Sequence, residues 1–289
     1  MKYFLCAFLA LPTLLFARGN YSSSEVVASY NYFAPASIKE DKKIKQFSFS
    51  EKRLSFISNQ KVHKYAFLNS EVGYKNYTMS FSKSGDNLFS QKTFDVALFK
   101  LGGATFLSHN LGLDANISLE TDRKKPNLNS NAFYTGILHG AYMIFHRGHI
   151  HAGVQTQSGL HYQRVLPIIG IDYQISPKWL VNCIYPQGAA LIYSYSRSIS
   201  LTAALKNTFT RHRFSNSESG QYRDGFVSLR SLYADFSLTY AFAAKSALNF
   251  SVGQKLRTDL SLSDRHNSKK KHYRVKGAPL FGVMVNYTF

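Results

Sequence analysis

The stretch that decides the fold is Leu280-Phe281-Gly282-Val283-Met284-Val285-Asn286-Tyr287-Thr288-Phe289. Phe281, Val283, Val285, Tyr287 and Phe289 recur at every second position; Gly282, Asn286 and Thr288 fill the positions between, and only Met284 breaks the pattern. A period of two sends successive side chains to opposite faces of a strand, so this segment has one apolar and one polar side. A soluble antiparallel sheet packed on a core uses such a strand. So does a transmembrane barrel with lipid outside and a polar interior.

The same alternation runs back along the chain. Leu248, Phe250 and Val252 oppose Asn249, Ser251 and Gly253, and Leu232, Ala234, Phe236, Leu238 and Tyr240 oppose Ser231, Tyr233, Asp235, Ser237 and Thr239. In the first half, Leu111, Leu113, Ala115, Ile117 and Leu119 face one way, with Gly112, Asp114, Asn116, Ser118 and Glu120 the other. Two acids and an amide on one face exclude a soluble apolar core on that side. Phe94, Val96 and Leu98 alternate with Asp95 in the same manner, and Val26–Ala34 with the segment through Phe47, Phe49 and Phe56 gives a faint first pair. The count is about twelve strands without that pair and fourteen with it. Both numbers are even, as bacterial single-chain barrels require.

The connections sort by length. Counting back from Phe289, the long ones (257–276, 210–228, 121–131, 83–92) fall at one end and the tight turns near 244, 197, 176, 147 and 109 at the other. A soluble meander gives no reason for that segregation, whereas outer-membrane barrels have short periplasmic turns and longer outer loops. The expectation is an all-β fold: a closed antiparallel up-and-down transmembrane β-barrel of 12–14 strands. No run of about eighteen apolar residues offers a membrane helix, and aromatics make up 15% of the chain, with 19 Tyr and 23 Phe against one Trp. Aromatic girdles at two interfaces account for such a supply. Closure is obligatory in lipid, where an open edge leaves backbone groups unpaired.

Lys2 followed by the apolar run Tyr3–Phe16 and Ala17 reads as a secretory signal peptide over 1–17, leaving 18–289 as one outer-membrane barrel domain. Residues 18–64 are read as weak N-terminal strands or a periplasmic segment. Removing the leader takes Cys6 and leaves Cys183 alone, so no internal disulfide forms. The chain carries 35 Lys and Arg against 16 Asp and Glu, a net charge of +19, which points to anionic partners. With an export signal and neither a helix-turn-helix nor a zinc-ligand spacing, nucleic acid is excluded as the partner class. The expected partners are outer-membrane lipid and lipopolysaccharide.

A terminal aromatic in this register resembles the closing strand of bacterial outer-membrane barrels. That resemblance implies that Phe289 and Tyr287 serve as the signal read by the barrel-assembly machinery. The stretch Leu166-Pro167-Ile168-Ile169-Gly170-Ile171-Asp172-Tyr173, then Trp179, Tyr185-Pro186 and Leu191-Ile192-Tyr193, resembles a family of outer-membrane β-barrels of unknown function. The resemblance is best over roughly the last 140 residues and implies location and architecture, with no activity attached. Trp179 stands at a periplasmic strand start, where an amphipathic ring prefers the interface.

Candidate chemistry is sparse. His139, His146, His149, His151 and His161 cluster, and His149 and His151 share a strand face, which a metal could use. No third ligand follows from the spacing, and the cluster reads as a solvated periplasmic end. His266 and Ser268, two apart with Asp264 near, form the sole arrangement fit for a lipid hydrolase; a flexible cationic loop is the plainer reading. No cofactor is expected. The polar faces instead define a lumen: Asp114, Asn116, Glu120, Arg164, Asp172, Lys206, Asp235, Asn249, Lys255 and Arg257, of both signs. Such a set fits a narrow pore for small solutes or, with the charges paired across it, a closed structural or surface-interaction barrel. Arg123, Lys124, Lys125, Arg265, Lys269, Lys270 and Lys271 in the outer loops face lipid phosphates or concentrate anions at the mouth.

Overall fold

The computed structural model describes residues 23–39, 46–82, 89, 91–123, 126–144, 147–215, 218, 222–243, 246–267 and 270–289. The leader assigned to 1–17 lies outside them. The described chain is almost entirely strand: β1 (Ser23–Ala36), β2 (Gln46–His63), β3 (Ala66–Ser82), β4 (Thr93–Phe106), β5 (Leu111–Asp122), β6 (Ala132–Ile144), β7 (Gly148–Gly159), β8 (Tyr162–Gln174), β9 (Trp179–Tyr185), β10 (Gly188–Ser194), β11 (Ile199–Arg213), β12 (Phe226–Ala243), β13 (Ser246–Ser263), β14 (Lys270–Val275) and β15 (Pro279–Thr288). From β1 to β14 each strand pairs antiparallel with the next, and β15 pairs with β13 on one side and β1 on the other to close the sheet. At the seam, Ser24 and Phe289 exchange backbone hydrogen bonds.

Fifteen strand segments make fourteen staves. β13 pairs with β14 through Thr258–Ser263 and with β15 through Ala247–Gln254, so β14 and β15 are two halves of one stave. The interruption at 276–278 faces a bulge in β13, where the partner of Leu232 is Arg257 and that of Tyr233 is Lys255. Leu256 is the additional residue, and its consequence is a change of face. Below the bulge odd residues of β13 face inward at Lys255; above it even residues do, at Thr258, Leu260 and Leu262, all fully buried. Arg257 therefore points outward, 59% exposed and bonded to Asp259, and does not line the lumen as alternation alone predicts.

The strand count takes the upper end of the expected range because the faint first pair is real. β1 has 14 residues and β2 has 18, so residues 23–36 and 46–63 belong to the wall and are no periplasmic segment. Two expected long loops also shrink. β11 runs on to Arg213 and β12 begins at Phe226, and most of 257–276 is the β13–β14 hairpin. These extensions stand above the membrane band, where an apolar outer face is no longer required, and their sequences lose the lipid-facing alternation there.

The outer face is apolar. Leu54, Val72, Leu101, Ile117, Leu138, Val165, Ile169, Phe236, Val252 and Phe281 are all exposed, from strands all around the barrel, as a lipid-facing belt demands. Trp179 projects outward at the short-turn rim, its ring 4.6 Å from that of Tyr193, the interfacial position expected of it. β9 and β10 have seven residues each, below the 9–11 or so that cross a bilayer. Their hairpin at Pro186-Gln187 leaves a low rim, over which Phe209 of β11 stacks on Tyr162 of β8 at 4.9 Å and Arg211 Nε donates to the Leu160 carbonyl at 2.8 Å.

Candidate functional site: the lumen

The interior has two zones. In the outer half, inward residues of β1 to β4 (Phe33, Phe47, Phe49, Tyr77, Met79, Phe94, Val96) meet Phe89 and, from the opposite side, Phe214, Tyr222, Val227, Leu229, Leu260 and Leu262 in one buried apolar cluster. β4 and β11 are separated by six staves in either direction around the barrel, so contact between them crosses the lumen. Phe94 lies 5.8 Å from Phe214 and 5.3 Å from His212, and Tyr77 lies 4.5 Å from His212. The alternation of Phe94, Val96 and Leu98 with Asp95 thus carries the opposite sense to a lipid-facing strand. The apolar residues fill the lumen, and Asp95 accepts hydrogen bonds from Tyr74 and Asn76 on the outer face.

The extended β11–β12 hairpin is pinned across the mouth. Arg213 donates to the Ser130 carbonyl and to Asn131 Oδ1, at 3.1 and 3.0 Å, and Arg211 Nη1 donates to Ser228 Oγ at 2.7 Å. Phe226, Phe133 and Leu160 form a second small cluster beneath these guanidinium groups, with Arg211 4.9 Å from the Phe226 ring centre. Planar cations on aromatic faces and aromatic edges on one another give this closure both area and direction.

The periplasmic half is polar and keeps a cavity of about 350 Å³. It runs from Ser23 and Thr288 at the rim up to Phe33, Phe49 and Leu229 beneath the apolar cluster. Glu25, Glu51, Arg53, Lys206 and Asp235 are its charged walls. Arg53 is ion-paired with Glu71, Lys75 with Glu120, and Lys206 with Asp235, each pair joining inward positions of β2, β3, β5, β11 or β12. Asn249 donates to Thr239 Oγ1 at 2.7 Å.

The inward set expected from alternation is thus placed piece by piece. Asp114 and Asn116 are buried side by side on β5, the amide donating to the carboxylate. Glu120, Lys206 and Asp235 are in the ion pairs above. Arg164 shares the inward register of Leu166 and Ile168 and is half-buried. Lys255 is buried with its ammonium 3.7 Å from the Phe33 ring centre. Asp172 accepts from Asn182 and stands 3.0 Å from His151 Nε2.

For His139 and His151 that last contact overturns the reading of the histidine cluster as a solvated end. His139 and His151 are buried in the lumen wall, ring on ring, with Nε2 of His139 and Nδ1 of His151 2.8 Å apart. Asn182, Asp172, His151 and His139 make one polar chain across four strands. His146 lies outside the described residues, and among the described residues no three metal-ligand side chains converge.

The remaining candidates that are described sit apart from the lumen. His266 is exposed in the outer turn in which Asn267 N–H donates to the Asp264 carbonyl; Ser268, Lys269, Lys124 and Lys125 lie outside the described residues. Arg265, Lys270 and Lys271 are exposed at the outer rim, and Arg123 lies 5.4 Å from the Tyr74 ring centre. Tyr287 and Phe289 project outward beside one another at the seam. Alternation in 46–82 missed nothing in principle: Glu51, Arg53 and Ser55, then Glu71, Gly73, Lys75 and Tyr77, carry an inward polar pattern. It was hidden by the equally polar outward residues Lys52, Asn76 and Thr78 at the same height.

No protein-family model matches the chain. An uncharacterised protein of Chlamydia pneumoniae is 25% identical over 199 residues, 65% of this chain and 59% of that protein. One of Chlamydia muridarum is 28% identical over 137 residues, covering 47% and 43% of the two chains. The matched part therefore spans about half the length of these relatives. Among solved structures, an outer-membrane channel from Pseudomonas putida F1 is 12% identical, with 97% of this chain and 100% of that one aligned at a TM-score of 0.53. A deltaS2 mutant of the TodX monoaromatic hydrocarbon channel is 10% identical, with 96% and 91% aligned, also at 0.53. At such identities the likeness is one of fold: this chain has the architecture of a bacterial outer-membrane β-barrel.

Proposed function

We propose that the protein is an outer-membrane channel for small polar solutes, open toward the periplasm and held shut at its outer end. The observation that carries this reading is the division of the lumen. A hydrated-type cavity lined by ion pairs, hydroxyls and amides occupies one half, and a cross-lumen aromatic contact between β4 and β11 closes the other. A barrel built only as an anchor gains nothing from an internal polar cavity, because burying polar groups costs free energy unless each is paired. The fold likeness to two outer-membrane channels supports the same reading. The exposed basic residues Arg265, Lys270 and Lys271 suit the phosphates of the surrounding outer leaflet.

The second reading, a non-conducting structural or surface-interaction barrel, draws on the same filled outer half. Liposome swelling separates the two. Proteoliposomes holding the Phe94→Ser/Phe214→Ser variant swell in isotonic monosaccharide at a rate well above that of empty vesicles, and wild-type vesicles swell more slowly than the variant. A folded variant whose vesicles stay impermeable sinks the channel reading in favour of the second.

A further inference from the structure

The outer surface of the wall carries a basic cluster where the lipid belt ends. Arg230 of β12 and Arg274 of β14 are the strand partners of Asp259 on its two sides, and Arg257 Nε donates to the same carboxylate at 2.8 Å. Beyond the end of β1, Ile38 bridges Val275 and the Lys39 N–H donates to the Arg274 carbonyl at 2.9 Å, which sets Lys39 opposite Arg274. Ile38 and Val275 are buried toward the lumen, so their neighbours Lys39, Arg274 and Lys276 turn outward, and all three are exposed. Like charges directly opposite one another across strands repel. Among the described residues of this patch, one carboxylate stands among five cations.

The β13 bulge turns this patch into a cleft. Leu256, the additional residue, and Arg257 after it both project outward, an arrangement that regular alternation forbids. Lys39, Leu256, Arg257, Arg274, Lys276 and Gly277 line an outward concavity there. At its foot the lipid belt continues: Leu256 is exposed, and so are Val252 and Phe281, which are strand partners just below. The concavity thus has cations at the top and lipid-facing side chains at the bottom, the complement of an amphiphile with an anionic head. The guanidinium groups suit phosphate in particular, since a planar fork meets two of its oxygens.

We propose that this cleft is a binding site for a lipid of the outer leaflet whose head group carries phosphate monoesters. The phosphate is held by Arg257, Arg274, Lys39 and Lys276, and the acyl chains lie along Leu256, Val252 and Phe281. A monoester brings nearly two negative charges, which matches the cationic excess better than the single charge of a diester. Continuity with the apolar belt selects a lipid over a free anion, because a phosphate in water gains nothing from Leu256. The site is on the outside of the wall, so it stands or falls independently of whether the lumen conducts.

Native mass spectrometry of the folded protein released from detergent micelles tests it with three probes: diphosphoryl lipid A, the same lipid after dephosphorylation, and inorganic pyrophosphate. The diphosphoryl lipid should be retained as a discrete adduct, and the other two should bind at least about tenfold more weakly. Lys39→Gln/Lys276→Gln, which leaves the Arg257–Asp259 contact in place, should weaken the lipid about tenfold. Lys178→Gln/Arg197→Gln removes the same charge from the exposed periplasmic turns and should change it less than about twofold. Where the first pair does not fold, Lys276→Gln alone should weaken the lipid about threefold. Equal loss in the two double variants would mean diffuse attraction to a basic protein and overturns the site. Pyrophosphate binding as tightly as the lipid overturns the lipid as occupant, and equal retention of the dephosphorylated form overturns the role of phosphate. Absence of any lipid adduct also overturns the proposal, as when Glu40 and Asp41, which follow Lys39 in the sequence, already neutralise the cations.

Discussion

Asp172 holds the buried polar chain of the lumen wall together: it accepts from Asn182 and stands 3.0 Å from His151, which meets His139 at 2.8 Å. Asp172→Ala leaves the buried Asn182 amide and His151 Nε2 without their acceptor, and a buried polar group left unsatisfied costs about 1–3 kcal/mol. Urea unfolding in lipid vesicles should show a loss of that size, against under about 1 kcal/mol for Trp179→Phe, which keeps an interfacial aromatic ring in place. A loss for Asp172→Ala no larger than for Trp179→Phe would mean that the histidine chain is not a structural unit. The inward position of Asp172 follows from counting along β8, but its partners do not. They come from β7 and β9, and the register between strands is set by turns that alternation does not specify. The residues of one face are legible in a sequence; which of them touch is a property of the pairing.

At the scale of the element, β13 shows where counting fails. One additional residue at Leu256 reverses the face of everything above it, so Lys255 is inside and Arg257 outside. In a Cys183→Ser background, a membrane-impermeant maleimide should label Arg257→Cys in intact cells and leave Lys255→Cys unmodified. Equal labelling of the two would refute the bulge. The β9–β10 hairpin turns on Gly188, whose φ of 150° and absent side chain are both required, since a Cβ there would lie 2.0 Å from the Leu205 carbonyl oxygen. Gly188→Ala should therefore lower stability by at least about 1 kcal/mol, read as a lower midpoint in the same urea series; an unchanged midpoint would place the turn elsewhere. The sequence shows this turn plainly, as Pro-Gln-Gly between apolar strands. The outer halves of β11 to β14 were not legible, because beyond the lipid band the strands need no apolar outer face and Lys270–Val275 reads as a charged loop.

The whole molecule is a closed wall with an asymmetric filling. Lipid fixes the wall: every backbone group must be paired within the sheet, so the fourteen staves close on themselves. That requirement is what made the fold readable from ten residues and a pattern of turn lengths. The filling obeys no such rule. Inward residues can be polar in one half and aromatic in the other with no change in outward alternation, and the contact of Phe94 with Phe214 joins opposite sides of the barrel. That contact closes the outer half of the lumen, and single-channel recording in a planar bilayer tests it. Wild-type protein, folded by its heat-modifiable gel shift, should remain mostly closed with rare small steps, and the Phe94→Ser/Phe214→Ser form should show stable openings of defined size. A folded double variant as silent as the wild type, or a wild type already open with the same steps, would contradict the account.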